Sequence, residues 1–338
     1  MRAPSFEAGL EGLPYKELSE DALLAFMFAR ALREARGPEV PAVFLGESFS
    51  LLRRVVRSAG LPTLEYHALT ESRVRSAALV LVSHTLCINA DQLGGMKRLH
   101  DALVMLHGYL RHLNTCHNAF QALRDAGACV AVIPVGPGFL VAVLDDVGSK
   151  FISNVTSAYL TSLREGPMPV SFNTAKLLYI LAGSLGGLIV EVGTGRGFST
   201  AWLAAGARRS GGKVFSFEAK EERVREARSL LEELGFLGVA EVISGDFRES
   251  VHSIAGQKAS LIFIDGAKEE YLDYLRALES AGVVGEGTLI LAHNTVSHIK
   301  TISPYVEAVY SGGYLSLTTM TDRAGLTITL VLNTTKSR

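Results

Sequence analysis

Cysteine is scarce in this chain of 338 residues, which contains only Cys87, Cys116 and Cys129. Three scattered cysteines do not build the disulfide framework that is typical of small secreted proteins. A chain that lacks such a framework is typical of a reducing compartment inside the cell. We therefore expect a cytoplasmic protein.

Long hydrophobic runs are also missing. The longest ones have the length of strands and are interrupted by glycine or charge, so none is long enough to span a bilayer. The N-terminal stretch MRAPSFEAGLEGLPYKELSED has early acidic residues and no apolar core, which argues against a signal peptide. The sequence thus predicts no membrane association.

Charge of one sign is not in excess, since 33 basic and 34 acidic residues give a formal net charge of −1. No overall positive field therefore attracts nucleic acid. Arginines make the first half locally basic, but no aromatic residues are interleaved with them as in RNA-binding motifs. Binding of nucleic acid stays an alternative without direct support.

The composition that remains, 48% hydrophobic and 20% charged, is that of a globular protein, and its length suggests about two domains. Residues 1–150 predict a small α/β domain of unknown role. Its expected strands are 41–46, 63–69, 77–85 and two strands within 128–146, and its expected helices are 48–60 and a long one from about 96 to 126.

Residues 151–338 predict a second α/β domain. Five apolar strand-like runs alternate with helical segments, which indicates parallel βαβ units. Two last runs, YLSLTTMT and LTITLVL, are separated only by Asp322–Gly325, a link too short for a parallel crossover, so they should form an antiparallel hairpin. The expected architecture is a doubly wound, Rossmann-like sheet of seven strands.

The stretch LIVEVGTGRGFST, residues 188–200, places Gly193, Gly195 and Gly197 directly after a strand. A phosphate-binding P-loop would need Lys-Ser/Thr after its last glycine, and Phe198-Ser199 stands there instead. The dinucleotide fingerprint would need Gly or Ala where this chain has Phe198. Neither of the two common phosphate loops therefore fits.

Acidic residues around this loop predict a positively charged ligand instead. Glu191 precedes the first glycine by two residues and has the wrong charge for a phosphate cradle. S-adenosylmethionine carries an ammonium and a sulfonium, and its carboxylate suits the helix N-terminus after Gly197 and the hydroxyl of Ser199. Glu218 and Asp246 end the next two strands, where they would face the ribose and the adenine.

These residues resemble the class I S-adenosylmethionine-dependent methyltransferases, and most of all the cation-dependent O-methyltransferases of the catechol and caffeoyl-CoA type. The resemblance covers about residues 155–338 and rests on GPMPVSFNTAKLL, VEVGTGRGFST and FIDGAKEEYLDYL. It implies methylation of a small-molecule hydroxyl, with Asp265 beside the cofactor and as a metal ligand. It also implies that Lys268 takes the proton from the acceptor, and we further expect a homodimer.

The chain departs from this family at one strand end. Where the resemblance implies Asp-Asn, both metal ligands, the sequence reads His293-Asn294. An imidazole favours Mn²⁺, Fe²⁺, Co²⁺ or Zn²⁺ relative to Mg²⁺. Three alternatives stay open: a different metal held by Asp265, His293 and Asn294, a metal-free site with His293 as the base, or a structural histidine.

The function also has alternatives. The main expectation is a metal-assisted small-molecule O-methyltransferase with an accessory N-terminal domain. A methyltransferase for RNA or protein would use residues 1–150 as a substrate clamp, although no Asn/Asp-Pro-Pro-aromatic motif for base methylation occurs. A protein that only binds adenosylmethionine is disfavoured because Asp265, Lys268 and Asn294 are all present.

Overall fold

Two β-sheets organise the chain in the computed structural model. The structure describes residues 18–45, 50–66, 77–82, 102–107, 120–121, 123–125, 127–143 and 147–332. The first sheet lies before residue 144 and the second lies after residue 187.

The second sheet has seven strands in the order β12-β13-β11-β10-β7-β8-β9. Its strands are β7 (Leu188–Val192), β8 (Lys213–Glu218), β9 (Ala240–Ser244), β10 (Ala259–Ile264), β11 (Leu289–His293), β12 (Tyr314–Thr319) and β13 (Leu326–Val331). Strands β7 to β11 are parallel, and β12 and β13 form an antiparallel hairpin that pairs with β11. The predicted sheet is confirmed.

Helices connect these strands, as the alternating pattern requires. They are α3 (Ser149–Glu165), α4 (Phe172–Leu185), α5 (Phe198–Ser210), α6 (Glu221–Glu233), the short α7 (Phe247–Ser250), α8 (Tyr271–Ser280) and α9 (Ile299–Val309). Their ends follow local chemistry. The hydroxyl of Ser171 caps α4 by accepting from the backbone N–H of Thr174 at 3.1 Å, and α5 ends at Gly211, whose φ of 71° suits the left-handed cap.

The first sheet has six strands in the order β2-β1-β3-β4-β6-β5. They are β1 (Ala42–Leu45), β2 (Thr63–Tyr66), β3 (Leu79–Val82), β4 (Leu103–His107), β5 (Cys129–Ile133) and β6 (Phe139–Val143), accompanied by helices α1 (Glu20–Arg36) and α2 (Ser50–Ser58). Strands β1 to β4 are parallel, while β6 is antiparallel to both β4 and β5. The predicted small α/β unit is therefore present, and α1 is an element that the sequence analysis did not identify.

The prediction of one long helix from about 96 to 126 is wrong over residues 103–107, which form β4. This strand lies between β3 and β6, and four of its five residues are buried. A short run that is apolar on both faces has no helical or alternating period, so its pattern does not separate a buried strand from a buried helix. Residues 96–101, 108–119, 122 and 126 of that prediction lie outside the described residues.

The two sheets share one hydrophobic core. Helix α4 packs against β5 and β6 of the first sheet and against β10 of the second, and α1 packs against α4 and the hairpin β12-β13. Asn173 joins the halves: its amide accepts from the N–H of Val132 and donates to that residue's carbonyl, both at 2.9 Å, and donates to the carbonyl of Thr321 at 3.0 Å. The domain boundary at residue 150 stays a prediction.

Within the part of the chain that the structure describes, no helix has both the length and the hydropathy needed to cross a membrane.

Candidate active site

A cleft of about 650 Å³ opens at the carboxyl ends of β7, β8, β9, β10 and β11. This is the edge at which ligands bind in open parallel α/β sheets. Predicted site residues that line it are Gly193, Gly195, Ser199, Glu218, Asp246, Asp265, Lys268 and Asn294. Glu191, Gly197 and His293 lie next to these residues in the chain but do not line the cleft.

The glycine loop passes close to protein backbone as well as to the cleft. Gly193 has a φ of +97°, and a Cβ there would lie 2.6 Å from the carbonyl oxygen of Asp265. Gly197 has a φ of +87°, and a Cβ there would lie 3.0 Å from the Cα of Ala227 in α6. Both positions therefore need glycine for the left-handed backbone and for close packing. Gly195 has a φ of +56°, and a Cβ there would lie 3.2 Å from the Cγ of Pro167, which also lines the cleft.

Glu191 is fully buried beneath the loop rather than in the cleft. Its Oε2 accepts hydrogen bonds from the hydroxyls of Thr200 in α5 and Ser216 in β8. Burial raises the pKa of Glu191 to about 7, although these hydroxyls and that of Ser199 oppose the shift. Glu191 thus supports the glycine loop from beneath and lies behind the residues that line the cleft.

Glu218 lies at the end of β8, inside the cleft, and its side chain is 7% exposed. One carboxylate oxygen accepts from the backbone N–H of Gly195 at 2.9 Å, and the other accepts from that of Lys220 at 3.0 Å. The guanidinium of Arg223 lies 3.9 Å away. These contacts fix the carboxylate beside the glycine loop, where it is available to accept from a ligand's hydroxyls.

Asp246 follows β9 and lines the opposite side of the cleft. It caps the short helix α7 by accepting from the backbone N–H of Arg248 at 2.9 Å. The guanidinium of Arg248 also binds the same carboxylate, and these bonds lower the pKa of Asp246 to about 2. The charge of Asp246 is thus already balanced by a neighbouring arginine.

Four ionisable side chains meet near the ends of β10 and β11. Lys268 donates to Asp265 Oδ1 at 2.8 Å, to the carbonyl of Gly266 at 3.1 Å and to the Tyr271 hydroxyl at 3.3 Å. Nδ1 of His293 lies 3.4 Å from Asp265 Oδ1, and its Nε2 lies 3.1 Å from both carboxylate oxygens of Asp322. We call Asp265, Lys268, His293 and Asp322 the ion cluster; Asp265 and Lys268 are its members that line the cleft.

Asn294 follows the ion cluster at the end of β11 and lines the cleft. Its φ of +64° is in the left-handed region, where asparagine is tolerated better than most residues. Its carbonyl accepts from the backbone N–H of His298 at 3.0 Å, which starts the turn into α9. The left-handed backbone thus turns the chain from the strand end into that helix.

The side chains at this strand end do not fit the divalent cation that the resemblance implies. Both ring nitrogens of His293 face carboxylates, and the Oδ1 atom of Asp265 that faces the ring also binds the ammonium of Lys268. Among the described residues, no group of three or more His, Cys, Asp or Glu side chains is arranged to hold a metal ion. The metal-ligand roles predicted for Asp265, His293 and Asn294 are therefore not supported by these contacts.

Two residues of the site were missed by the sequence analysis. Asp322 is in the link of the hairpin β12-β13, where an Asp before Arg-Ala-Gly signals only a turn. Arg196, in the glycine loop, donates to the Gly166 carbonyl at 2.8 Å and to Glu226 at 2.7 Å, and pairs with Glu165 at 3.0 Å. For Arg196, the signal that the sequence offered was a basic residue between two glycines of the loop.

Comparison with known proteins finds matches for the part of the chain that contains the cleft. Residues 190–295 match a family model described as "Methyltransferase domain". A catechol O-methyltransferase of Mycobacterium tuberculosis is 32% identical over 38% of this chain and 57% of its own length. The probable O-methyltransferase Rv1220c of the same organism is 36% identical over 32% of this chain and 50% of its own length. The chain thus spans about half the length of the curated relatives it matches.

The fold has a counterpart among solved structures. Cofactor-bound Rv0187 from MTB superimposes with a TM-score of 0.50 at 24% identity, over 55% of this chain and 91% of that one. This likeness concerns the fold, whereas the family match concerns the segment that carries the glycine loop and three members of the ion cluster, Asp265, Lys268 and His293. Residues 190–295 thus match the methyltransferase domain family, and the second sheet with its helices shares the Rossmann-like fold of Rv0187.

Proposed function

We propose that this protein transfers the methyl group of S-adenosylmethionine to a hydroxyl of a small molecule. The observation that carries the proposal is the cleft itself. It has a glycine loop without the features of a phosphate site, a fixed carboxylate in Glu218 and a cluster of charged groups at the neighbouring strand ends. The curated relatives named as O-methyltransferases support the choice of hydroxyl as acceptor.

The cofactor would lie across the ends of β7, β8 and β9. Glu218 would accept from the two ribose hydroxyls, because its carboxylate has spare lone pairs after its two backbone contacts. The N-terminus of α5 and the hydroxyl of Ser199 would bind the carboxylate of the methionyl group. Asp246 and the edge of Phe247 would border the adenine.

The chemistry is an in-line displacement at the methyl carbon. The acceptor hydroxyl loses its proton to water, its oxygen attacks the methyl carbon, and the carbon–sulfur bond breaks with its electron pair remaining on sulfur. The products are the methyl ether, S-adenosylhomocysteine and one proton. Because the sulfonium is already activated, the protein mainly positions the acceptor and stabilises its anion.

Lys268 is the group proposed to stabilise that anion. Its Nζ has three acceptors within 3.3 Å, which is the coordination of an ammonium with three N–H donors. An ammonium bordering the cleft attracts an oxyanion, and shifting one of its hydrogen bonds to the acceptor would hold the oxygen near the methyl group. The earlier prediction that Lys268 itself takes the proton stays untested.

The acceptor class we favour is a small phenol of the catechol type, because one relative carries that name and the cleft has the volume of a ligand pocket. The cytoplasmic location and the homodimer stay predictions. The alternative of an RNA or protein acceptor, with residues 1–150 as a substrate clamp, also stays a prediction.

The test combines binding with turnover. Calorimetry should show that the full chain binds S-adenosylhomocysteine, and mass spectrometry should detect methylated catechol when S-adenosylmethionine is present. Glu218→Ala should weaken nucleoside binding by about tenfold or more, equivalent to about 1.4 kcal/mol. Glu222→Ala, on the exposed first turn of α6, is the matched control and should leave binding unchanged. Tight binding of NAD or ATP without any heat from adenosylhomocysteine would refute the proposal.

A further inference from the structure

His293 is held between two carboxylates at the end of β11. Its side chain is 6% exposed, its Nε2 lies 3.1 Å from both oxygens of Asp322, and its Nδ1 lies 3.4 Å from Asp265 Oδ1. A neutral imidazole has one N–H donor and one lone pair, so one nitrogen would then point a lone pair at a carboxylate. Nδ1 has no hydrogen-bond partner at this distance, and a positive species between it and Asp265 would make the contact favourable.

A proton on the ring supplies that positive species without any added ion. Burial by itself disfavours a charged ring, but the carboxylates of Asp265 and Asp322 lie 3.4 Å and 3.1 Å from its two nitrogens and favour the charged form. The ion cluster then contains two carboxylates, one ammonium and one imidazolium, and its charges balance. A divalent cation added to this cluster would either displace the ring proton or leave an excess charge of +2 next to Lys268.

Asp322 is anchored independently of His293. It accepts from the Thr174 hydroxyl of α4 at 2.7 Å and from the backbone N–H of Ala324 at 3.0 Å. These bonds fix the hairpin link behind the ring, on the side away from Asp265. The carboxylate of Asp322 is thus a preformed partner that orients the imidazole ring.

We propose that His293, held by Asp322, and Lys268 together take the place of a divalent cation beside Asp265, so that this site binds no metal ion. The inference rests on the proposed function and specifies how the acceptor's charge is stabilised there. Asp322 is a positioning residue in this arrangement, since it holds the ring of His293 against Asp265 and does not itself line the cleft.

The experiment measures metal binding rather than turnover. Each protein is stripped with chelator, shown by calorimetry to bind S-adenosylhomocysteine, and then titrated with MnCl₂ in the presence of that nucleoside. The wild-type chain should show no site for Mn²⁺ up to about 1 mM. The variant His293→Asp restores an oxygen ligand, and Mn²⁺ prefers carboxylates, so its affinity for Mn²⁺ should rise by about 100-fold or more.

A second variant controls for loss of folding in His293→Asp. His293→Asp leaves two carboxylates facing each other, and the double variant His293→Asp/Asp322→Asn removes this repulsion while keeping the new ligand. It should bind Mn²⁺ as the single variant does. Because nucleoside binding is measured first in the wild-type chain, its absence would refute the proposed function separately from this inference.

Two outcomes would overturn the inference. The first is stoichiometric binding of Mn²⁺ by the wild-type chain that is abolished in Asp265→Asn, because the ion would then occupy the site with His293 present. The second is the absence of Mn²⁺ binding in both the wild-type chain and the nucleoside-binding double variant, because His293 would then not be what excludes the ion.

Discussion

At the residue scale, Glu191 shows how a side chain can serve a site without bordering it. Its position two residues before the first glycine suggested direct contact with a cationic ligand, but the carboxyl is buried and binds Thr200 and Ser216. It therefore joins β7, α5 and β8 beneath the loop. Glu191 lies near the strand end, as the sequence indicated. The direction of its side chain could not be predicted without the fold.

Glu191 should make stability depend on pH in an unusual direction. Its pKa is about 7 in the folded chain and 4.5 in the reference state, so the folded chain holds the proton more tightly. The resulting stabilisation is complete below about pH 4.5 and is lost as the pH rises through 7, with a total of about 3 kcal/mol. Glu191→Gln, which mimics the neutral carboxyl, should remove this dependence.

The measurement is urea unfolding of both proteins at about pH 5 and about pH 8. Other titrating groups, including His293, are present in both proteins and cancel in the difference between them. The variant should gain stability relative to wild type by about 2 kcal/mol or more between the two pH values. Parallel pH profiles for the two proteins would contradict a neutral, buried Glu191.

At the element scale, Arg196 connects three segments around the cofactor cleft. It binds the end of α3 through Glu165 and Gly166, and it binds α6 through Glu226. The glycine loop that carries Arg196 is thereby held against the wall formed by residues 166–170. A loop held in this way loses less conformational entropy when the nucleoside binds.

Arg196→Ala should therefore weaken binding of S-adenosylhomocysteine by about tenfold, or about 1.4 kcal/mol. Calorimetry on the full chain measures this loss. Arg276→Ala is the matched control, because Arg276 is an exposed residue of α8 that pairs with Glu279 away from the cleft. Equal affinities for the two variants would show that the contacts of Arg196 with α3 and α6 do not contribute to nucleoside binding.

The elements that the sequence predicted correctly are those with strong local signals. Strands β7 to β11 are short apolar runs separated by helices, and the short link before β13 required a hairpin. Strand β4 was missed because a run buried on both faces has no diagnostic period. Asp322 was missed for a different reason: it meets His293, 29 positions earlier, only because β13 pairs with β11. No local pattern contains that contact.

At the scale of the whole molecule, helix α4 packs against both sheets. Eleven of the 14 residues of α4 are buried, which is the pattern of a helix covered on every side. One side of α4 packs on the first sheet through β5 and β6, and another packs on the second through β10. The first sheet thus packs on the helix whose N-terminus binds Asp322 through Thr174.

Residues 151–338 produced alone should therefore fail to fold cooperatively. Exposing several leucine-sized side chains of α4 costs about 2 kcal/mol each, a loss comparable with the whole stability of a typical domain, about 5–15 kcal/mol. We expect the fragment to bind a hydrophobic dye and to unfold without a sharp transition, whereas the full chain unfolds cooperatively. A fragment that melts sharply and binds S-adenosylhomocysteine as tightly as the full chain would instead show that the boundary at residue 150 separates two independent domains, because the cleft would then be complete without the first sheet.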